Sequence, residues 1–201
     1  MRDAGCRATG VTCDVTDEDA VARAVDVAVD EFGGVDILVD NAGLHLTTYN
    51  QPFSVLPSKD VRALFAVNVL GTVNCSVACL GPMRRRGGGS IVNISSMASY
   101  ATRSPYGVSK LAVRGLTVAF AHESAPAGIR SNAISPGLIA TETAMADLRK
   151  LVRSIVEDQQ LIKRLGAVGD IVAIMLFLCS DEASFITGET LKVTRGLPLH
   201  I

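Results

Sequence analysis

The chain has 201 residues, 48% of them hydrophobic and 19% charged, with a formal net charge of -1. That is the profile of one globular domain with a core of its own, and it lacks the basic excess that nucleic acid or an anionic membrane would require. The five cysteines, at 6, 13, 75, 79 and 179, form neither a metal-ligand pattern nor a secreted framework, so buried free thiols in a reducing, cytoplasmic compartment are expected.

The first ten residues carry no apolar signal core. Ala8 to Asp14 reads as a short strand, and Asp17 as the cap of a helix to about Phe32, with Val21, Val25, Ala28 and Val29 at helical spacing. Gly33-Gly34 ends it. Val35 to Val39 is a continuous apolar run of the kind buried in parallel sheets, followed by the turn Asn41-Ala42-Gly43. A loop with Pro52 and Pro57 leads to a helix over 58–86. Its apolar stretch from Ala63 to Gly81 is interrupted by Asn68, Thr72, Asn74 and Ser76, which favours a buried core helix over a membrane span.

After Gly87-Gly88-Gly89 comes a strand at 90–94 ending in Ser95-Ser96, then a helix from Pro105 to about Ser124. Ile129–Ser135 is the next strand, broken by Pro136-Gly137. A loop and helical region follows over 138–160, then a helix at 169–179 and a last strand at 191–193. Strands alternating with helices predict a doubly wound parallel α/β sheet in one domain over residues 1–201. His45, His122 and His200 are isolated, and no metal site is expected.

Tyr106 and Lys110 stand four apart at the start of the 105–124 helix, so they share a face. A phenol titrates near pH 10, and a neighbouring cation favours its anion, so the pair can act as a general acid/base. The serines at the end of the 90–94 strand lie where open α/β sheets place their ligand crevice.

Asn41-Ala42-Gly43, Asn68-x-x-Gly71, Ile94-Ser95-Ser96, Tyr106-x-x-x-Lys110 and Pro136-Gly137 occur in the order and rough spacing of the short-chain dehydrogenases/reductases. The chain resembles that family over nearly its whole length. The resemblance implies a Rossmann-like sheet, NAD or NADP as cofactor, and a small-molecule alcohol or carbonyl substrate. It implies that Tyr106 is the proton donor/acceptor and that Lys110 lowers its pKa and holds the nicotinamide ribose. Ser96, rather than Ser95, would hydrogen-bond the substrate oxygen, and Asn68 would orient a water that relays protons to the lysine. Asn41, Ala42 and Gly43 would lie near the adenosine, Asp14 and Val15 at the adenine, and Pro136, Gly137, Ile139 and Thr141 at the nicotinamide carboxamide. The region 142–160 would be a substrate lid, and the long helices would pair into a homo-oligomer, a dimer or tetramer. Plainer readings stand beside these: Ser96 as a capping hydroxyl, Asn68 as a satisfied core amide, Asp14 as a helix-capping side chain.

The sequence departs from the family in several places. No glycine-rich turn follows a first strand to receive a pyrophosphate at a helix N-terminus, so the sheet is expected to lack its first βαβ unit and to leave the 35–39 strand with an open edge. Asp40 stands where Asn is usual, Ser131 where a strand residue is apolar, and Thr194-Arg195-Gly196 where Asp-Gly-Gly is common. The sequence therefore supports an NAD(P)-dependent oxidoreductase. The alternative is a catalytically inactive, truncated remnant that acts as an oligomerising subunit.

Overall fold

The computed structural model describes residues 5–141 and 154–197. Helix α1 (Glu18–Phe32) starts where expected: Asp17 Oδ1 accepts from the Ala20 N–H at 3.1 Å, and Gly33, at φ 84°, closes the last turn. Strand β1 (Ile37–Asp40) leads through the short helix α2 (Leu46–Tyr49) to α3 (Ser58–Phe65), a π-turn (Ala66–Leu70) and α4 (Gly71–Arg86). The chain continues as β2 (Gly89–Ile94), α5 (Ala98–Ala101), α6 (Pro105–Ser124), β3 (Ile129–Pro136), α7 (Val168–Cys179) and β4 (Thr190–Val193).

The described strands form one parallel sheet in the order β1-β2-β3-β4. Successive side chains of a strand point to opposite faces, so each face needs its own cover. Ile91 packs on one face with Cys79, Leu80, Met83 and Phe120 from α4 and α6; its neighbour Val92 packs on the other with Ile134 and Leu178 under α7. This is the two-faced Rossmann-like architecture that alternating elements predict. Its carboxyl strand ends, Asp40, Ile94 and Pro136, open onto a common crevice.

Two expectations are corrected. Residues 8–14 form no strand: the segment is mostly exposed, and among the described residues no strand lies beside it to share a ladder. Nearby Arg7 ties to α1 instead, donating to the Glu31 carbonyl at 2.6 Å with its guanidinium 5.2 Å from the Phe32 ring centroid. The cysteines are all free, but only Cys79 is buried; Cys6 is exposed and the other three are intermediate.

The long helix is broken at Asn68 by the π-turn. Ser58–Arg86 is apolar and long enough to cross a membrane, yet Leu64, Asn68, Thr72, Ser76, Leu80 and Met83 are buried within the fold, as in a core helix. Of the expected lid, residues 142–153, with Met145 and Leu148, lie outside the described residues, as does His200; Ser154–Gln159 forms a π-turn.

Candidate active site

Helix α6 is started by Ser104, whose Oγ accepts from the Gly107 N–H at 3.3 Å, with Pro105 in the first turn. This places Tyr106 and Lys110 on the side of α6 that faces the end of β2. Lys110 is 6% exposed, and its Nζ donates to the Ile94 carbonyl at 2.8 Å. Burial pushes its ammonium down to about 8.

The two serines after β2 divide their work. Ser95 Oγ is buried and donates to the Lys110 carbonyl at 2.8 Å, pinning α6 to the strand end. Ser96 Oγ accepts from the Ala98 N–H at 3.1 Å and lines the same cavity as Tyr106. Thus Ser96 caps a short helical turn, and its hydroxyl, unlike that of Ser95, is not bonded into α6. Burial raises the Tyr106 phenol above its ordinary value, and the Ser96 hydrogen bond opposes that shift. The spacing of Tyr106 and Lys110 predicts a lowered phenol; desolvation outweighs any such effect here.

Asn68 is 1% exposed and sits in the π-turn, a feature that often marks functional sites. Its Oδ1 accepts from the Leu44 N–H at 2.8 Å, and its Nδ2 donates to Ser109 Oγ at 3.1 Å. One amide therefore clamps the loop after β1 to α6. Thr72 Oγ1 donates to the Asn68 carbonyl at 3.1 Å. The glycine of Asn68-x-x-Gly71 has a packing reason: a Cβ on Gly71 would lie 2.6 Å from Val15 Cγ2. Gly43 has another: a Cβ there would stand 3.3 Å from Asn68 Oδ1 and 3.5 Å from Lys110 Nζ, filling the space beside the ammonium.

A cavity of about 310 Å³ brings together Asn41, Gly43, Ser96, Tyr106, Lys110, Pro136, Gly137, Ile139 and Thr141. Four of the expected residues are not on its lining: Ala42, in the same turn as Gly43; Asn68, behind Gly43; and Asp14 and Val15. Asp14 Oδ1 accepts from the Thr16 N–H at 2.9 Å and from its hydroxyl at 2.8 Å, which holds the carboxyl below its usual value. Val15 offers its carbonyl to Asn74 Nδ2 at 2.9 Å. Leu44, His45 and Leu46 also line the cavity. Sequence reasoning missed them because the short helix α2, capped by His45 at its N-terminus, carries no periodic apolar pattern.

A second cavity, of about 630 Å³, shares Leu46, Ser96, Gly137 and Leu138 with the first and extends along α5. The first turn of α1 is acidic, with Glu18 and Asp19, and does not suit a phosphate.

The family model described as enoyl-(acyl carrier protein) reductase matches residues 1–198. Dehydrogenase/reductase SDR family member 4 of Homo sapiens is 38% identical over 201 residues, covering 98% of this chain and 72% of its own. An uncharacterized oxidoreductase of Mycobacterium tuberculosis is 40% identical over 187 residues, 92% of this chain and 75% of its own. Among solved structures, a gluconate 5-dehydrogenase from Burkholderia cenocepacia in complex with NADP and tartrate superposes with a TM-score of 0.91 at 33% identity, over 100% of this chain and 79% of its own. A 7α-hydroxysteroid dehydrogenase complexed with NADH and 7-oxo glycochenodeoxycholic acid gives 0.88 at 32% identity, over 97% and 76%.

Proposed function

The chain belongs to the short-chain dehydrogenase/reductase family of oxidoreductases, and from that premise we propose that it interconverts a secondary alcohol and a carbonyl compound with NAD or NADP. The observation that carries the reading is that Ser96, Tyr106 and Lys110 line one cavity at the carboxyl ends of the strands. NADH and NADP in the two similar solved structures support the choice of cofactor class.

The residues present fit the nicotinamide half of such a cofactor. The gap that a Cβ on Gly43 would fill lies beside Lys110 Nζ, where a ribose hydroxyl can accept from the ammonium. Ile139 and Thr141, with Pro136 and Gly137, would border the carboxamide. When bound, the cofactor supplies or accepts the hydride at the carbonyl carbon.

The chain's own groups handle the proton. In reduction, Tyr106 donates its phenolic proton to the carbonyl oxygen and is left as phenolate; in oxidation it takes the proton back. Ser96 hydrogen-bonds the same oxygen and holds it against Tyr106. The Lys110 ammonium stabilises the phenolate that forms. Asn68 keeps Gly43 and α6 in register through its two amide bonds, and on this reading also places a proton-relaying water near the lysine.

A second reading, a catalytically inactive subunit kept through assembly, draws on different observations. Leu70, Val77, Leu111 and Val118 are exposed on the π-turn, α4 and α6, and would suit a dimer or tetramer. Ile37 and Val39 are exposed on β1. Free thiols suit a cytoplasmic setting for either reading.

The deciding experiment offers the 201-residue chain millimolar NADH or NADPH with a panel of ketones and follows nicotinamide absorbance. Turnover that disappears in Tyr106→Phe is expected. A stable oligomer with no turnover under either cofactor would favour the second reading.

A further inference from the structure

We propose that Arg103 selects substrates bearing a carboxylate, held across an apolar body from the reacting carbonyl. This deepens the oxidoreductase reading above and rests on it.

The second cavity begins at Ser96 and runs between α5 and the loop after β3. Its walls are Met97, Ala98, Leu138, Ile155 and Leu197, with Tyr100 beside them. Arg103 is the charged residue of that lining, with no Asp or Glu among the lining residues. The polar neighbours are already engaged: Asn50 Oδ1 accepts from Ser104 Oγ at 3.0 Å, and Gln159 Nε2 donates to Ser154 Oγ at 3.4 Å. Arg114 is spent on the Tyr100 ring, 4.0 Å from its centroid. Arg103 has no hydrogen bond or ion pair among the described residues.

Its backbone is fixed on both sides. Thr102 closes α5 in the left-handed region, at φ 48° and ψ 32°, with its N–H bonded to the Ala98 carbonyl at 3.0 Å. Ser104 caps α6 one residue later. A non-glycine residue in this conformation is uncommon, and such strain gathers at ligand sites. A two-helix corner thus carries a free guanidinium at the rim of an apolar cavity that starts at the reactive serine.

The chemistry follows from these neighbours. The apolar walls favour an aliphatic or alicyclic body. The guanidinium's planar donors match a carboxylate in a bidentate pair, and Arg103 is exposed, so that pair forms at the solvent rim of the apolar cavity. A neutral substrate fills the same walls but leaves the cation unpaired.

The test uses chain-length series of keto acids, 7-oxooctanoate, 9-oxodecanoate and 11-oxododecanoate, each against its methyl ester. For at least one length the acid should exceed the ester in kcat/KM by about tenfold, the size of one charge-assisted hydrogen bond, with KM carrying most of the difference. Arg103→Met should bring that ratio to near one, and Arg103→Lys should restore part of it. Calorimetric binding of the same acids without turnover provides a second readout. Ester turnover with an acid-to-ester ratio near one at every length would overturn the role of Arg103 and leave the oxidoreductase reading standing. Acid binding that depends on Arg103, without turnover of any compound, would uphold carboxylate recognition and sink the oxidoreductase reading. A preference that survives unchanged in Arg103→Met, or no binding of any acid, would also overturn the proposal.

Discussion

The sheet is finished differently on its two flanks. At the carboxyl end of β2 the strand is tied to α6, Ser95 to Lys110, Lys110 to Ile94 and Asn93 Nδ2 to Thr117 Oγ1, and the interior residues of β2 and most of those of β3 are buried. On the β1 flank Ile37 is 48% exposed and Val39 37%, and the preceding residues 8–14 make no ladder. The groups that would move a proton sit in the closed half. The β1 half is open, and the first turn of α1 is acidic. Proton chemistry and cofactor retention are therefore separable properties of this chain, and each can be perturbed alone.

The largest effect is expected in the closed half. Tyr106→Phe keeps the ring in its buried place and removes only the transferable proton. Turnover should fall by about 10²–10⁴-fold, the usual worth of a positioned general acid/base. Nicotinamide binding, read by fluorescence, should change little. A rate above about a tenth of the unmodified chain's would remove Tyr106 from the acid/base role.

Lys110 joins the two halves, since it faces both the phenol and the space beside Gly43. Its ammonium, pushed down to about 8, is charged below that pH and neutral above it. Cofactor kcat/KM, which reports the free enzyme, should therefore fall as pH rises through about 8. Lys110→Met should lower cofactor affinity and rate together and abolish that limb of the profile. A profile flat through this window, or unchanged affinity in the Met variant, would contradict the ribose-holding role.

The closed half was the more legible from sequence because it is written in local code. Pro105 starts a helix, Tyr106 and Lys110 stand four positions apart, and an apolar run ending in two serines marks a strand tip. All three survive in the fold. The choice of Ser96 over Ser95 rests on family resemblance; in the fold the Ser95 hydroxyl donates to the Lys110 carbonyl. The π-turn at Asn68 depends on tertiary partners, Ser109 and Leu44, so no local pattern announces it; the cap at His45 is local, to the Thr47 N–H, but histidine is not among the favoured capping residues. Residues 8–14 read as a strand by composition, but strand formation depends on a neighbour that composition does not supply.

The open half can be tested through Asp40 at the end of β1. Its carboxyl accepts from Ser76 Oγ at 3.0 Å, yet burial raises it to about 7, and it also helps hold the Cys75 and Cys79 thiols near 12. The folded state thus keeps a proton that the unfolded chain loses above pH 3.8. Stability from this group is fully present below that value and is lost as pH rises through about 7. Asp40→Asn should flatten the loss and raise stability at pH 8 by something on the order of 2 kcal/mol, measured by urea denaturation at pH 5 and 8. Equal pH dependence in the two proteins would show that Asp40 ionises freely in the folded state.

The smallest effect probes how far the closed half's polar satisfaction extends. Ser131 lies in β3 opposite Ile91, away from the crevice, and is fully buried. Its backbone is well used: the N–H donates to Thr187 Oγ1 at 3.1 Å and the carbonyl accepts from Gly188 N at 2.7 Å. Its hydroxyl, by contrast, has no hydrogen-bond partner. A buried hydroxyl without a partner loses its hydration and gains nothing in return, so removing it should stabilise the fold. Alanine keeps the Cβ, leaves both backbone bonds intact and opens a space smaller than a methyl group. Ser131→Ala should therefore raise the urea midpoint by the equivalent of about 1 kcal/mol while leaving the crevice and its pH profile untouched. Because Ser131 faces the side of the sheet covered by α6, a destabilised variant would mean instead that the hydroxyl is held in the native state by a bond to α6 or to a trapped water.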